Sequence, residues 1–190
     1  MEVLVMNDLG IGSGMAYEYV IAEKKTAALI CKRICLLLVY ILWGAGCLVV
    51  GVTTRLLVPL MAMVPLTLWI IVFLTWRFTQ IEYELSFFSG VLTVSRIYGG
   101  RTRKKLAEIT IRNLEGVYPC EEPYTEKINS FEHDKEIFAA SSADAPELWA
   151  AFWKDEDGTR YVLWFEATEK AVKVFRFYNS SAVAPKKPAR

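Results

Sequence analysis

The chain has 190 residues, 54 % of them hydrophobic, with 22 Lys and Arg against 21 Asp and Glu and a single His. Its length accommodates one compact domain plus an appendage, and a mean hydropathy of +0.27 is high for a water-soluble protein. A net charge of +1 argues against a strongly basic nucleic-acid binder, and one histidine excludes centres built on clustered imidazoles.

The near-neutral total hides a gradient. Residues 77–112 carry seven basic and three acidic side chains, whereas residues 113–166 carry four basic and thirteen acidic ones, so opposite signs of charge are concentrated in different stretches. The excess apolarity lies in one block, residues 34–76, whose only charge is Arg55. Three of the four cysteines (Cys31, Cys35, Cys47) fall in or beside that block and one, Cys120, falls outside it. No disulfide framework follows from this arrangement, which matches a reducing compartment.

In chain order, the lead MEVLVMNDLGIGSG fits no regular element, and Met1, Met6 and Met15 are each a candidate start. Its Gly10, Gly12 and Gly14 follow no strand and do not form the spacing of a phosphate-binding loop. Next come two uncharged runs, 34–53 and 56–76, of 20 and 21 residues. At about 1.5 Å per residue each spans roughly the 30 Å of bilayer hydrocarbon. Only Thr54 and Arg55 separate them, so the pattern predicts a transmembrane hairpin with both ends on one side. Pro59 suits the first turn of the second helix, and internal Pro65 predicts a kink. Gly44 and Gly46 offer small residues for close approach of the partner helix.

Lys24, Lys25, Lys32, Arg33, Arg77 and the basic residues beyond it outnumber Arg55, the lone charge of the loop. The positive-inside rule therefore places both termini in the cytoplasm of a multi-pass protein of the cell membrane. A cleaved signal peptide fits poorly, since about thirty mostly non-basic residues precede the first run and a second run follows. Cys47 lacks the flanks of a lipidation site. No Asp, Glu, Lys, Arg or His lies within either run, which argues against an ion or substrate path and leaves an anchor.

From Ile81 the pattern alternates, with Ile81, Tyr83, Leu85 and Phe87 on one face and Glu82, Glu84 and Ser86 on the other. Ser89-Gly90 and Gly99-Gly100 are turn signals, which predicts a meander of three strands over 81–88, 91–98 and 101–111. A fourth strand is expected near 116–120, then a polar, acidic surface loop over 121–134. Strand character returns at 135–140, and Asp155-Glu156-Asp157-Gly158 predicts a hairpin between 148–153 and 159–166. Thr168 is placed to cap an amphipathic helix with Ala171, Val174, Phe175 and Tyr178 on its apolar stripe.

About seven strands followed by one C-terminal helix is the order expected of a pleckstrin-homology (PH)-like domain, in which the helix plugs a bent sheet pair. The chain thus divides into a juxtamembrane segment (1–28), a two-helix transmembrane hairpin (29–78), a cytoplasmic PH-like β domain (79–178) and a disordered tail (179–190). Three stretches, EYVIAEKKTA, IEYELSFFSGVLTVSRIYGGRTRKKLAEITIRNLEGV and VLWFEATEKAVKVFRFY, resemble an uncharacterised family of small Gram-positive bacterial membrane proteins. Its members have two membrane helices and a PH-like domain. The resemblance covers roughly residues 16–178 and implies a fold but no activity.

Candidates for chemistry are few. His133 stands in an acidic loop with no nucleophile motif nearby, so neither a catalytic nor a metal role is expected of it. Cys31 and Cys35 lie one helical turn apart without further ligands, and the acidic groups at 121–122 and 155–157 lack calcium-loop spacing. No catalytic residue, cofactor or metal is assigned. Trp149, Trp153 and Trp164 are read as packing residues. Arg96, Arg101, Arg103, Lys104 and Lys105 form the one notable surface group, close in sequence to a membrane helix and suited to anionic lipid headgroups or a partner. Phe87 is expected to point inward and Phe88 outward.

The sequence therefore points to a non-enzymatic, membrane-anchored module binding a protein partner, itself or anionic lipid at the cytoplasmic face, and not to nucleic acid. The second reading is an accessory subunit that stabilises a larger membrane complex through its helices.

Overall fold

A computed structural model describes residues 16–24 and 27–186. The glycine-containing lead, the three candidate starts, Lys25 and residues 187–190 lie outside the described residues. The chain separates into two compact units: Lys24–Ile81 with Tyr98–Thr102, and Glu82–Ile97 with the chain from Arg103 onward and the segment ending at Glu23.

The helical unit contains α1 (Ala27–Thr53) and α2 (Leu57–Trp76), joined through Thr54–Leu56. Arg55 turns the chain with φ +57°. The helices hydrogen-bond across their interface: Tyr40 to Thr75, and the Trp43 indole N–H to Thr67 Oγ1 at 3.2 Å. Such polar links hold apolar helices together where there is no hydrophobic drive between them. Two cations at the start of α1 close the other end of the unit. Lys32 donates to the carbonyl of Phe78 at 3.1 Å and Arg33 to that of Thr79 at 3.0 Å. Both carbonyls belong to the 3-10 turn Arg77–Thr79 at the end of α2, where unpaired acceptors attract positive charge.

Both helices are long and apolar enough to cross a membrane, and no residue of α2 is buried within the chain. They are therefore not core helices of the β unit, and their apolar surface suggests membrane association. The helix α2 continues through Pro65. The glycine expectation is corrected: a Cβ on Gly44 or Gly46 would meet nothing within 4 Å, whereas one on Gly51 would lie 3.2 Å from Leu57 Cα. Close approach occurs next to the connecting turn, where the two helices are still converging.

The other unit is built from two four-stranded sheets and one plugging helix. The first sheet has the order β1-β2-β3-β4, with β1 at Tyr17–Ala22, β2 at Ile81–Phe88, β3 at Val91–Tyr98 and β4 at Thr102–Thr110. The meander β2 to β4 agrees with the alternating pattern. The strand β1 was not expected, since residues 1–28 read as a juxtamembrane segment. It pairs antiparallel with β2, from Tyr17 opposite Phe87 to Ala22 opposite Glu82. Alternation explains it: Tyr19 and Ile21 are buried beside Tyr83 and Leu85, and Glu18 takes the other face. The helical hairpin is thus an insertion between two paired strands.

The second sheet has the order β5-β7-β8-β6, with β5 at Leu114–Pro119, β6 at Lys135–Ala139, β7 at Leu148–Lys154 and β8 at Arg160–Glu166. The expected β7–β8 hairpin is present, and β6 joins β8 in parallel. The run Trp149–Trp153 is buried at every residue, which requires cover on both faces. On one face Ala150 and Phe152 lie under Ile128, Tyr124 and Phe131, contributed by the short helix α3 (Thr125–Asn129) and its flanks. The stretch 121–134, expected as a plain surface loop, is therefore a lid on the second sheet. Its apolar residues at 124, 128 and 131 follow helical spacing within an otherwise polar sequence.

The helix α4 (Glu169–Tyr178) starts where the cap predicts, with the Ala171 amide donating to Thr168 Oγ1 at 3.2 Å. Its Phe175 meets Phe87 of the first sheet edge-on at 5.2 Å and Phe165 of the second at 5.5 Å. One fully buried ring therefore joins both sheets, a position where truncation to Ala costs about 3–5 kcal/mol. The segment after Asn179, expected to be disordered, is docked up to Lys186. Ala182, Val183 and Ala184 are buried, Val183 bridges to Val117 at the β5 edge, and Lys186 pairs with Glu147 at 2.6 Å. Its three small apolar residues, hidden among Ser, Pro and Lys, supply what the composition obscured.

Candidate functional site

The five basic residues singled out from the sequence do not form one cluster. Arg96 lies on β3 with its guanidinium over the Tyr83 ring, 5.2 Å from the centroid. Arg101 belongs to the helical unit, in the turn between β3 and β4, and stacks over the Phe73 ring of α2 at 5.2 Å. That turn is tied down by the Gly99 amide, which donates to the Gln80 carbonyl at 2.8 Å, and by an edge contact between Tyr98 and Phe78.

The other three stand on β4, an edge strand, where charge also discourages pairing with another chain. Arg103 Nη2 lies 3.1 Å from Glu84 Oε2, and Lys105 pairs with Glu108. Lys104 is exposed, and strand alternation turns it to the face opposite its two neighbours.

Glu84 is the one buried carboxylate of this group. Burial holds its carboxyl above the usual range, and the neighbouring Glu18 pushes in the same direction, partly offset by Arg103. The same causes, burial before charge, push the Cys120 thiol up to about 11, with Glu121 adding to the effect. A thiol so shifted is a poor nucleophile. The Tyr19 phenol is likewise raised by burial and donates to the Glu166 carbonyl at 2.8 Å.

The remaining candidates have structural partners. His133 Nδ1 lies 3.2 Å from the Phe131 carbonyl. Asp155 and Asp157 accept backbone hydrogen bonds from Glu156 and Thr159 at 2.9 Å, which accounts for the lowered carboxyl of Asp157 and commits both to the hairpin turn. Among the described residues no group of three metal-ligating side chains occurs.

The two-sheet unit closed by α4, with apolar helices inserted after its first strand, is consistent with a PH-like domain. The family model described as Bacterial PH-like domain (DUF6106) matches residues 15–184. The chain belongs to this family of bacterial PH-like proteins. No curated protein and no solved structure matches the chain.

The PH-like unit also has a cavity that the sequence reading missed. It measures about 250 Å³ and is lined by Ser89, Gly90, Thr110, Arg112 and Tyr178. These residues come from the β2–β3 turn, the end of β4, the 3-10 turn Ile111–Asn113 and the end of α4, segments with no sequence motif in common. The only local signal is Ser89-Gly90. Ser89 and Gly90 both have positive φ, and a Cβ on Gly90 would lie 2.9 Å from the Tyr178 ring, so glycine lets the helix end approach the turn.

Proposed function

We propose that this protein is a non-enzymatic, membrane-anchored PH-like module whose domain is held at the cytoplasmic face and contacts anionic lipid headgroups there. The observation that carries the reading is Arg101 stacked over Phe73 of α2, three residues before the end of a membrane-length helix. A guanidinium lying over an aromatic ring near such a helix end suits the headgroup layer. Among the described residues Lys104 adds a second cation without an ion-pair partner, while Arg103 and Lys105 are partly neutralised by Glu84 and Glu108. Lys24 before α1 and Lys32 and Arg33 in its first turns, against Arg55 in the connecting turn, support cytoplasmic termini.

Each basic residue beside an anionic surface contributes about 1 kcal/mol, so Arg101 and Lys104 together shift a docking equilibrium by roughly thirtyfold. The full chain in nanodiscs tests this. Amide exchange over residues 102–105 is expected to slow in discs containing phosphatidylglycerol relative to pure phosphatidylcholine. The difference should vanish in the Arg101→Ala, Lys104→Ala double variant. Identical exchange in both lipids would remove the lipid contact.

A second reading, an accessory subunit acting through its helices, draws on the open space beside Gly44 and Gly46, where another helix would fit closely. If so, Gly44→Leu with Gly46→Leu abolishes co-purification of a membrane partner. Unchanged recovery would rule this reading out.

A further inference from the structure

The cavity between the β2–β3 turn and the end of α4 has the features of a preorganised anion site. Its floor is rigid: the Ile111 amide donates to the Gly90 carbonyl at 2.9 Å, and the Asn179 side-chain amide donates to the carbonyls of Ile111, Arg112 and Leu114 at 3.0–3.2 Å. With the backbone held, the side chains of Ser89, Thr110, Arg112 and Tyr178 remain uncommitted. Among the described residues none of the four makes a hydrogen bond or ion pair through its side chain. Three hydroxyls and one guanidinium therefore surround one cavity with their donors available.

Two exposed rings neighbour its lining residues in sequence, and the Phe177 ring meets the Tyr178 ring edge-on at 5.0 Å. Phe88, next to Ser89, is 65 % exposed, and Phe177, next to Tyr178, is 68 % exposed. Among the described residues after position 80 these are the only large hydrophobic side chains so exposed. A polar cavity with an exposed ring packed on its Tyr178 suits a ligand with an anionic end and an apolar side group.

We propose that this cavity binds the carboxyl terminus of a partner polypeptide, its carboxylate paired with Arg112 and its last, apolar side chain lying against Phe88 and Phe177. A single guanidinium balances a single negative charge and presents it with a fork of donors. A phosphate dianion is disfavoured, because it would bring two negative charges to a domain whose residues 113–166 carry thirteen acidic and four basic side chains. Phosphate recognition generally uses several arginines. The site is also open, since Ser89, Thr110 and Arg112 are exposed, whereas small-molecule sites bury most of their ligand. An open cavity suits the end of a longer chain. The assignment is independent of any lipid contact at Arg101.

Fluorine NMR of the full chain in zwitterionic nanodiscs tests it, with N-acetyl-glycyl-4-fluorophenylalanine as probe. The free acid is expected to bind with the millimolar affinity of so small a ligand. The corresponding amide, and the acid with the Arg112→Gln variant, should bind at least about tenfold more weakly. Arg112→Gln changes an exposed side chain, and an unfolding temperature equal to that of the wild type verifies its fold. Equal binding of acid and amide, or of the acid to wild type and Arg112→Gln, overturns the proposal. Tighter binding of 4-fluorophenyl phosphate overturns the carboxylate assignment, and equal binding of 4-fluorobenzoate overturns the polypeptide one.

Discussion

Replacing Asn179 by Ala removes one side chain that joins three parts of the PH-like unit. Its Nδ2 donates to the carbonyls of Ile111, Arg112 and Leu114, and its Oδ1 accepts from the Ser181 hydroxyl at 3.1 Å and the Ala182 amide at 3.3 Å. The Arg112 carbonyl and Ser181 hydroxyl bonds are exposed, so water replaces them at little cost. The bonds to Ile111, Leu114 and Ala182 are partly buried, and each such bond contributes about 1 kcal/mol. Two amide hydrogens shared among three carbonyls bring the sum to about 2 kcal/mol. That energy holds the segment 182–184 on the β5 edge, where the Val117 amide donates to Ala182 and the Ala184 amide to Val117. Local opening should therefore become about thirtyfold more frequent. Hydrogen exchange of the Val117 and Ala184 amides in the detergent-solubilised full chain reads this directly. Rates within threefold of wild type would refute the claim that Asn179 clamps the docked tail.

Two further substitutions separate backbone from packing effects and test a buried charge. Gly90→Ala combines φ +81° with a contact 2.9 Å from the Tyr178 ring, whereas Gly100→Ala meets open space at φ +67°. The first should lower thermal stability by about 1–3 kcal/mol and the second by about 1 or less; equal losses would show that the Tyr178 contact is unimportant. For Glu84, a folded-state pKa above the ordinary glutamate value favours the protonated form. Its contribution is full below that ordinary value and is lost as pH rises through the raised one. Glu84→Gln should therefore gain stability relative to wild type on going from about pH 4 to pH 7. A difference in unfolding temperature that does not change with pH would contradict this assignment.

Much of the fold was legible because burial on one face leaves a period in the sequence. Alternation at 81–88, the glycine turns, the Asp-rich hairpin and the 3.6-residue stripe after Thr168 each reflect a local rule, and the structure keeps all of them. Besides the docked tail and the cavity, three features escaped. The strand β1 is one edge of the first sheet, and its pattern was masked by the neighbouring apolar helix. The lid residues Tyr124, Ile128 and Phe131 are diluted by acidic neighbours, although they pack against Phe152. The basic group looked continuous in sequence, yet Arg103 meets a carboxylate on β2 and Lys105 one three residues along its own strand.

By itself, the amino-acid order determined that two helices of membrane length precede an alternating, strand-rich region ending in a capped amphipathic helix. These properties depend on neighbours within a few positions, where hydrophobic period and turn chemistry act. Only the tertiary structure decided that β1 closes the first sheet, that β6 runs parallel to β8, that residues 182–184 cover the β5 edge, and that Ser89, Thr110, Arg112 and Tyr178 share a cavity. Each of those depends on contacts between residues distant in the chain, whose energies arise from burial and hydrogen bonding that no local pattern records.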